Sequence, residues 1–254
     1  MVLVHGFAQT GGCWGAVPRA LETAGYAVAA PDLPGHGDGP TDAVDLPGTA
    51  DHLVAVAAAM MPTGSAPAPG PLVPPAAFVG YSFGGRVCLR LAVDHPGSVE
   101  RLVLIGATAG LEDPDERAAR RAADEAPAEE IETAGLEAFL DRWLALPLFA
   151  GLSPAAQYRD ERRRNRPAGL AASLRLAGTG AQEPIWDRLG TLAGVPVLLV
   201  TGERDTKFSM LADRLAAGIG PSADRLVIPD AGHTAHLEQP DAFLDGLLTW
   251  LART

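Results

Sequence analysis

Cysteine and lysine are scarce in this 254-residue chain, with two of the first and one of the second. Cys13 and Cys88 stand alone. They show neither the dense pattern of a disulfide scaffold nor the paired spacing of a zinc site, which suits a reducing compartment. No apolar run approaches the ~20 residues that a membrane helix needs. No basic-then-apolar leader precedes the first β-like run. The chain therefore reads as a soluble cytoplasmic protein without a membrane partner. Basic residues are also in deficit: 20 Lys and Arg stand against 31 Asp and Glu, a net charge of -11. That balance argues against nucleic acid as a partner. There is no H-E-x-x-H, and Gly11-Gly12 lacks the Lys-Ser/Thr of a phosphate loop, so no metal or cofactor is implied. The length suits one α/β domain with an insertion.

What is present centres on Gly80-Tyr81-Ser82-Phe83-Gly84. A serine flanked two residues away on each side by glycine fits a sharp strand-to-helix turn that lifts a hydroxyl above a sheet. The context agrees: Ala76 to Gly80 is apolar, and Arg86 to Val93 has helical spacing. His5-Gly6-Phe7 follows the apolar run Val2-Leu3-Val4. The loop after such a strand supplies one oxyanion-hole N–H and the residue after the serine supplies another, here Phe7 and Phe83. Asp205 follows the β-rich run Val195 to Val200 and Gly202. His233 follows Leu226-Val227-Ile228 in Ala231-Gly232-His233. Ser82, Asp205 and His233 thus stand in the chain order of a nucleophile–acid–base triad.

Each candidate has a rival. Glu203 competes with Asp205, which the three residues after Gly202 favour. His236 competes with His233, and a helix start near His236 favours His233 as the base. His5 and His36, the latter in the Pro/Gly turn Asp32 to Gly37, read as structural. His52 and His95 show no partner in the sequence.

Strand-like and helical runs alternate through the first part. Strands are expected at Val2–Val4, Tyr26–Ala30, Ala77–Tyr81 and Leu102–Ile105, and helices near Trp14–Ala24, Asp51–Met61 and Gly84–Asp94. This predicts a mostly parallel sheet flanked by helices. Pro62 to Pro75, rich in Pro, Gly and Ala, reads as an extended connection. From 111 to 188 strands vanish, and helices are expected at Asp115–Glu125, Glu129–Leu144, Pro154–Arg164 and Gly169–Gly178. Strands return at Val195–Val200 and Arg225–Ile228, and Asp241–Leu251 closes as a helix. The organisation predicted is a core of residues 1–110 and 189–254 with a helical cap at 111–188, and such caps exclude water and select substrate.

Of the 20 basic residues, 11 lie in that cap beside 15 acids, so the cap as a whole is not basic. Arg117, Arg120 and Arg121 share one helix face. Arg162, Arg163 and Arg164 form a second group, and Arg86 lies one turn past Ser82, within reach of a pocket. Most arginines are expected in surface ion pairs, while a few facing the pocket suit several carboxylates.

Taken together, these motifs resemble the 2-succinyl-6-hydroxy-2,4-cyclohexadiene-1-carboxylate synthases within the α/β-hydrolases. The similarity runs through Val4-His5-Gly6-Phe7, Asp32 to Gly37, Val79 to Arg86, Gly110-Leu111-Glu112 through Arg121, and Phe139 to Phe149. It ends with Gly202 to Phe208 and Ala231 to His236. The resemblance implies an α/β-hydrolase fold and an elimination that releases pyruvate from a cyclohexene bearing succinyl, carboxylate and enolpyruvyl groups, in menaquinone biosynthesis. It implies that Ser82, activated by His233 and oriented by Asp205, abstracts a ring proton. It further implies that Arg86, Arg120 and one of Arg162, Arg163 and Arg164, with Arg162 first, grip carboxylates, and that Tyr81 and Trp143 line the pocket. Relatives of this kind carry one or two strands before the one bearing His5-Gly6. Either the native start lies upstream of Met1, or this sheet lacks an edge. The alternatives are a carboxylesterase or carbon–carbon hydrolase using Ser82 covalently, and a non-catalytic binding protein on the same fold.

Overall fold

A computed structural model describes residues 1–60 and 75–254. Five strands form one sheet: β1 (Val2–Val4), β2 (Ala76–Tyr81), β3 (Val99–Ile105), β4 (Val197–Gly202) and β5 (Ala223–Ile228). They lie in sequence order and every pair is parallel. Parallel neighbours need crossover connections, and helices supply them on both faces.

Alternation along the strands divides the core. Val2, Val4, Phe78, Leu102, Leu104, Val197 and Leu199 pack on one face with α2 (Leu46–Ala59), α3 (Phe83–Asp94) and α8 (Thr206–Ile219). Leu3, Val79, Val103, Ile105, Leu198 and Val200 turn to the other, against α1 (Val17–Thr23) and α10 (Pro240–Leu251). A sheet buried on both faces explains why these strands read as continuous apolar runs.

Between β3 and β4 come α4 (Pro114–Thr133), α5 (Gly135–Leu144), α6 (Arg159–Arg162) and α7 (Pro167–Ala177). Ile131, Phe139, Leu140, Leu170 and Leu174 form their own apolar cluster, which closes on Ala8 in the loop after β1. A smaller cluster joins Phe149 and Leu152 to Leu237, in α9 (Ala235–Glu238). This helical layer therefore rests on the loops at the C-terminal ends of β1 and β5.

Three expected elements change. Tyr26–Ala30 is no strand: Ala29 makes one isolated bridge to Val2, and Pro31 has no N–H to extend a ladder. The expected break in the helical layer moves. One helix runs through Pro127 to Thr133, and Gly135, at φ +86°, ends it and opens α5. Pro154–Arg164 shrinks to the single turn of α6, because Tyr158 is left-handed (φ +48°) and the segment before it coils around Ser153. The expected Pro62–Pro75 connection lies, but for Pro75, outside the described residues. Among the described residues no helix is long and apolar enough to cross a membrane.

Candidate active site

Ser82 sits between β2 and α3 with φ +50° and ψ -106°, a conformation that non-glycine residues seldom adopt. Its neighbours make the turn possible. A Cβ at Gly80 would come within 2.5 Å of the Gly84 carbonyl oxygen, and one at Gly84 would overlap the Val4 carbonyl. The Ser82 N–H donates to the Ile105 oxygen at 2.8 Å, and its carbonyl accepts the Arg86 N–H at 3.0 Å. The turn is thus tied to the neighbouring strand and to its own helix.

His233 follows β5, and Asp205 caps α8 by accepting the Phe208 N–H at 3.2 Å. The other Asp205 oxygen accepts from His233 Nδ1 at 2.8 Å, which places the ring proton on Nδ1. His233 Nε2 is then free to accept from Ser82 Oγ, 3.2 Å away. Gly106 makes room for the ring, since a Cβ there would lie 2.7 Å from His233 Cε1. Glu203 instead accepts the Asp230 N–H on the surface, away from this chain of bonds. His236 is buried among Tyr81, Trp14 and Phe243, with its Nδ1 unpartnered.

Phe83 is the first residue of α3, where helical N–H groups have no intrahelical acceptor. Among the described residues neither its N–H nor that of Phe7 donates to a protein acceptor. Both residues line a cavity of about 270 Å³ together with Ser82 and His233. His36 lies between their rings, edge-on to Phe7 at 5.8 Å and stacked on Phe83 at 5.7 Å. His5 accepts the Leu33 N–H at 3.0 Å and donates through Nδ1 to the Gly6 carbonyl at 2.8 Å.

Burial holds these supporting rings neutral. It pulls His5 down to about 4, and His36 and His236 to about 3, from an ordinary value of 6.5. Above pH 6.5 folded and unfolded chains bind the same number of protons on these rings, and stability is unaffected. Below it the unfolded chain takes up protons that the folded one refuses, so stability falls with pH until the folded values are reached. Each ring contributes up to about 2 kcal/mol of destabilisation at pH 5. We expect the urea midpoint to drop between pH 7.5 and 5.0, with proton uptake on unfolding. A midpoint that is equal or higher at pH 5.0 would contradict the buried placement.

The expected arginine groups do not converge as units. Arg117 caps its own helix entry through the Leu111 and Glu112 carbonyls, and Arg121 donates to the Gly180 carbonyl. Only Arg120 of that trio reaches the cavity, where Asp124 accepts from its Nε at 2.7 Å. In the second group Arg163 pairs with Glu137 and Asp160, and Arg164 with Glu161 and Asp38. Arg162 alone turns inward, 1 % exposed, donating to the carbonyls of Ala8 and Gln157. Arg86 is also buried, with Nη1 donating to Ala177 O at 2.9 Å and Gln182 Oε1 at 3.1 Å. Burial, and then the charge of Arg120, lower it to about 10. Among the described residues neither Arg86 nor Arg162 has a carboxylate partner. Trp143 and Tyr81 also line the cavity, and the Trp143 Nε1 is unpartnered.

Sequence reading missed several residues here. Gln9, Ser173 and Lys207 line the cavity, and Gln182 holds Arg86 from behind it; of these only Lys207 carried a signal, as the chain's single lysine two positions after Asp205. Glu238 accepts the Gly232 and Thr234 N–H groups at 2.7 and 3.1 Å, clasping the loop that carries His233. His95 gains the partner its sequence context did not show, Asp51 at 2.7 Å. Among the described residues no group of three or more His, Cys, Asp or Glu is placed to hold a metal.

Residues 1–245 match the Alpha/beta hydrolase family. A relative from Bacillus subtilis (strain 168) is 40% identical over 170 residues, a match spanning 65% of this chain but only 61% of that protein's length. The 2-succinyl-6-hydroxy-2,4-cyclohexadiene-1-carboxylate synthase of Salmonella heidelberg (strain SL476) is 34% identical over 251 residues, covering 97% of this chain and 91% of that one. The structure of MenH from S. aureus superposes with a TM-score of 0.86 at 29% identity, covering 99% of this chain and 92% of the other. The enol-lactonase from Burkholderia xenovorans LB400, at 21% identity and a TM-score of 0.76, shares the fold. By this match in sequence and fold, the chain belongs to the alpha/beta hydrolase family and, within it, to the 2-succinyl-6-hydroxy-2,4-cyclohexadiene-1-carboxylate synthases.

Proposed function

We propose that the protein eliminates pyruvate from 2-succinyl-5-enolpyruvyl-6-hydroxy-3-cyclohexene-1-carboxylate, giving 2-succinyl-6-hydroxy-2,4-cyclohexadiene-1-carboxylate, in menaquinone biosynthesis. One observation carries this reading beyond family membership. The cavity that holds Ser82 is lined by two buried guanidinium groups, Arg86 and Arg162, whose protein partners are neutral. A buried cation that no carboxylate hydrogen-bonds is costly unless an anionic ligand completes it, and Asp124 offsets Arg86 only through space. A plain ester offers no such anion, whereas a tricarboxylate does.

In the proposed step His233 Nε2 draws the proton from Ser82 Oγ, and Asp205 stabilises the imidazolium that forms. The Ser82 oxygen takes the proton from ring C2, beside the succinyl carbonyl; the electron pair of that C–H bond forms the C2–C3 double bond, and the C3–C4 pair shifts to C4–C5. The bond from the ring to the enolpyruvyl oxygen breaks, and the enolate leaves and is protonated to pyruvate. The Phe7 and Phe83 N–H groups hold the negative charge that builds on the neighbouring carbonyl oxygen. Arg86, Arg120 and Arg162 clamp carboxylates, and Tyr81 and Trp143 shape the walls. Residues 111–188 act as a cap that shields the base from water. The step draws on a base, an oxyanion site and cationic clamps, and requires neither metal nor cofactor. We place the enzyme in the cytoplasm.

The test is a coupled assay for pyruvate with the natural enolpyruvyl substrate. Release that is saturable and abolished by heat denaturation is expected. No pyruvate, together with an acyl-enzyme burst on aryl esters, would make Ser82 a covalent nucleophile and the protein an esterase.

A further inference from the structure

We propose that Gln9 is a substrate-binding residue, its side-chain amide donating to a substrate carboxylate that Arg162 also holds. This rests on the polycarboxylate reading above. The Gly6 N–H donates to Gln9 Oε1 at 2.8 Å. An N–H needs an acceptor, so the oxygen end of the amide faces Gly6 and the Nε2 end faces away. Gln9 is 2 % exposed and lines the cavity with Phe7, Ser82 and Arg162, yet its Nε2 has no hydrogen-bond partner. Buried amide donors are almost always satisfied, and an orphan beside a cavity points to a ligand.

The adjacent residue repeats the pattern. The Ala8 carbonyl accepts from Arg162 Nη1 at 3.0 Å, and Arg162 Nη2, also buried, has no partner. Ala8 holds φ at +56°, a strained value for a residue with a Cβ, while its carbonyl meets Arg162 and the next side chain folds back to Gly6. Two consecutive residues of one loop thus hold two orphan donors at the cavity, one neutral and one cationic. The two coplanar oxygens of a carboxylate accept from both, and its charge balances the guanidinium. The same loop carries the Phe7 N–H, so docking a carboxylate here also steadies the oxyanion site.

A purely structural Gln9 needs only an acceptor for Gly6, which glutamate supplies equally well. Gln9→Glu keeps that bond, removes the donor and sets a negative charge against the substrate. We expect Gln9→Glu, and Gln9→Met, to melt within a few degrees of the wild type. We expect KM for the enolpyruvyl substrate to rise about 10- to 100-fold, with kcat changed less than about threefold. Combining Gln9→Met with Arg162→Gln should raise KM by less than the product of the single effects, because both groups serve one carboxylate. A wild-type KM in Gln9→Glu overturns the proposal, as does failure of both Gln9 variants to fold. If only Gln9→Glu fails to fold, Gln9→Met is read in its place. If the wild type itself releases no pyruvate, the elimination reading falls and calorimetry with succinate decides Gln9. Affinity weakened tenfold or more in the variant upholds the subsite. Equal affinity, or no binding to the wild type, removes it.

Discussion

Ser82→Ala lowers kcat on the order of 10³- to 10⁴-fold while leaving KM and the melting temperature close to the wild type. The size follows from the role: a positioned proton-transfer group contributes about 10²- to 10⁴-fold, and here the oxygen that removes the proton is itself deleted. Binding survives because Arg86, Arg120 and Arg162 sit elsewhere on the cavity wall. Stability survives because among the described residues Ser82 Oγ has one protein partner, His233 Nε2 at 3.2 Å, and the turn is held by backbone bonds to Ile105 and Arg86. Pyruvate release under single-turnover conditions is the measurement. A variant keeping more than a tenth of wild-type turnover would move the base to another residue, with water held by His233 the first candidate.

Arg86→Met should separate activity from stability. Arg86 is 7 % exposed, the two protein partners of its guanidinium are neutral oxygens, and burial lowers it to about 10. Truncating one partner of a desolvated charge pair costs about 2–5 kcal/mol of binding, which places the fall in kcat/KM at roughly 10²- to 10³-fold. In the free enzyme the same change removes a buried charge that no carboxylate hydrogen-bonds, with Asp124 acting on it only through space, and methionine fills a similar volume. Such replacements are neutral or stabilising. The melting temperature is therefore expected to hold or rise while activity collapses. A variant within tenfold of wild-type kcat/KM, or one that melts several degrees lower, would show that Arg86 is a structural strut and not a clamp.

Much of the site was legible because its signals are local. Gly80 is required by contacts with Gly84 and Gly85, within five residues, and the Gly-x-Ser-x-Gly spacing records it, although Gly84 itself is required by the Val4 carbonyl. The loop positions of Asp205 and His233 follow directly on apolar runs that form β4, buried throughout, and the half-buried edge strand β5. The rivals resolved through space: Glu203 turned to the Asp230 backbone, and His236 went into the core behind Tyr81. Helix ends were harder. Pro127 stayed inside α4, and Tyr158, in the left-handed region with its hydroxyl abutting Gly15, delayed the start of α6 to Arg159. Tertiary packing outweighed local preference at both.

By itself the amino-acid order determined the alternation of strand and helix, the Ser–Asp–His succession and the family. Each of these is written in short-range spacing that sterics and apolar periodicity interpret directly. Only the tertiary structure decided which of the chain's 19 arginines turn into the cavity. Arg162, Arg163 and Arg164 have the same chemistry and adjacent positions, yet one is buried against Ala8 while its neighbours pair with surface carboxylates. The orphan amide of Gln9 and the Glu238 clasp on the His233 loop belong to the same class. Whether a polar group is satisfied depends on partners brought to it from distant parts of the chain, and spacing along the chain carries no record of them.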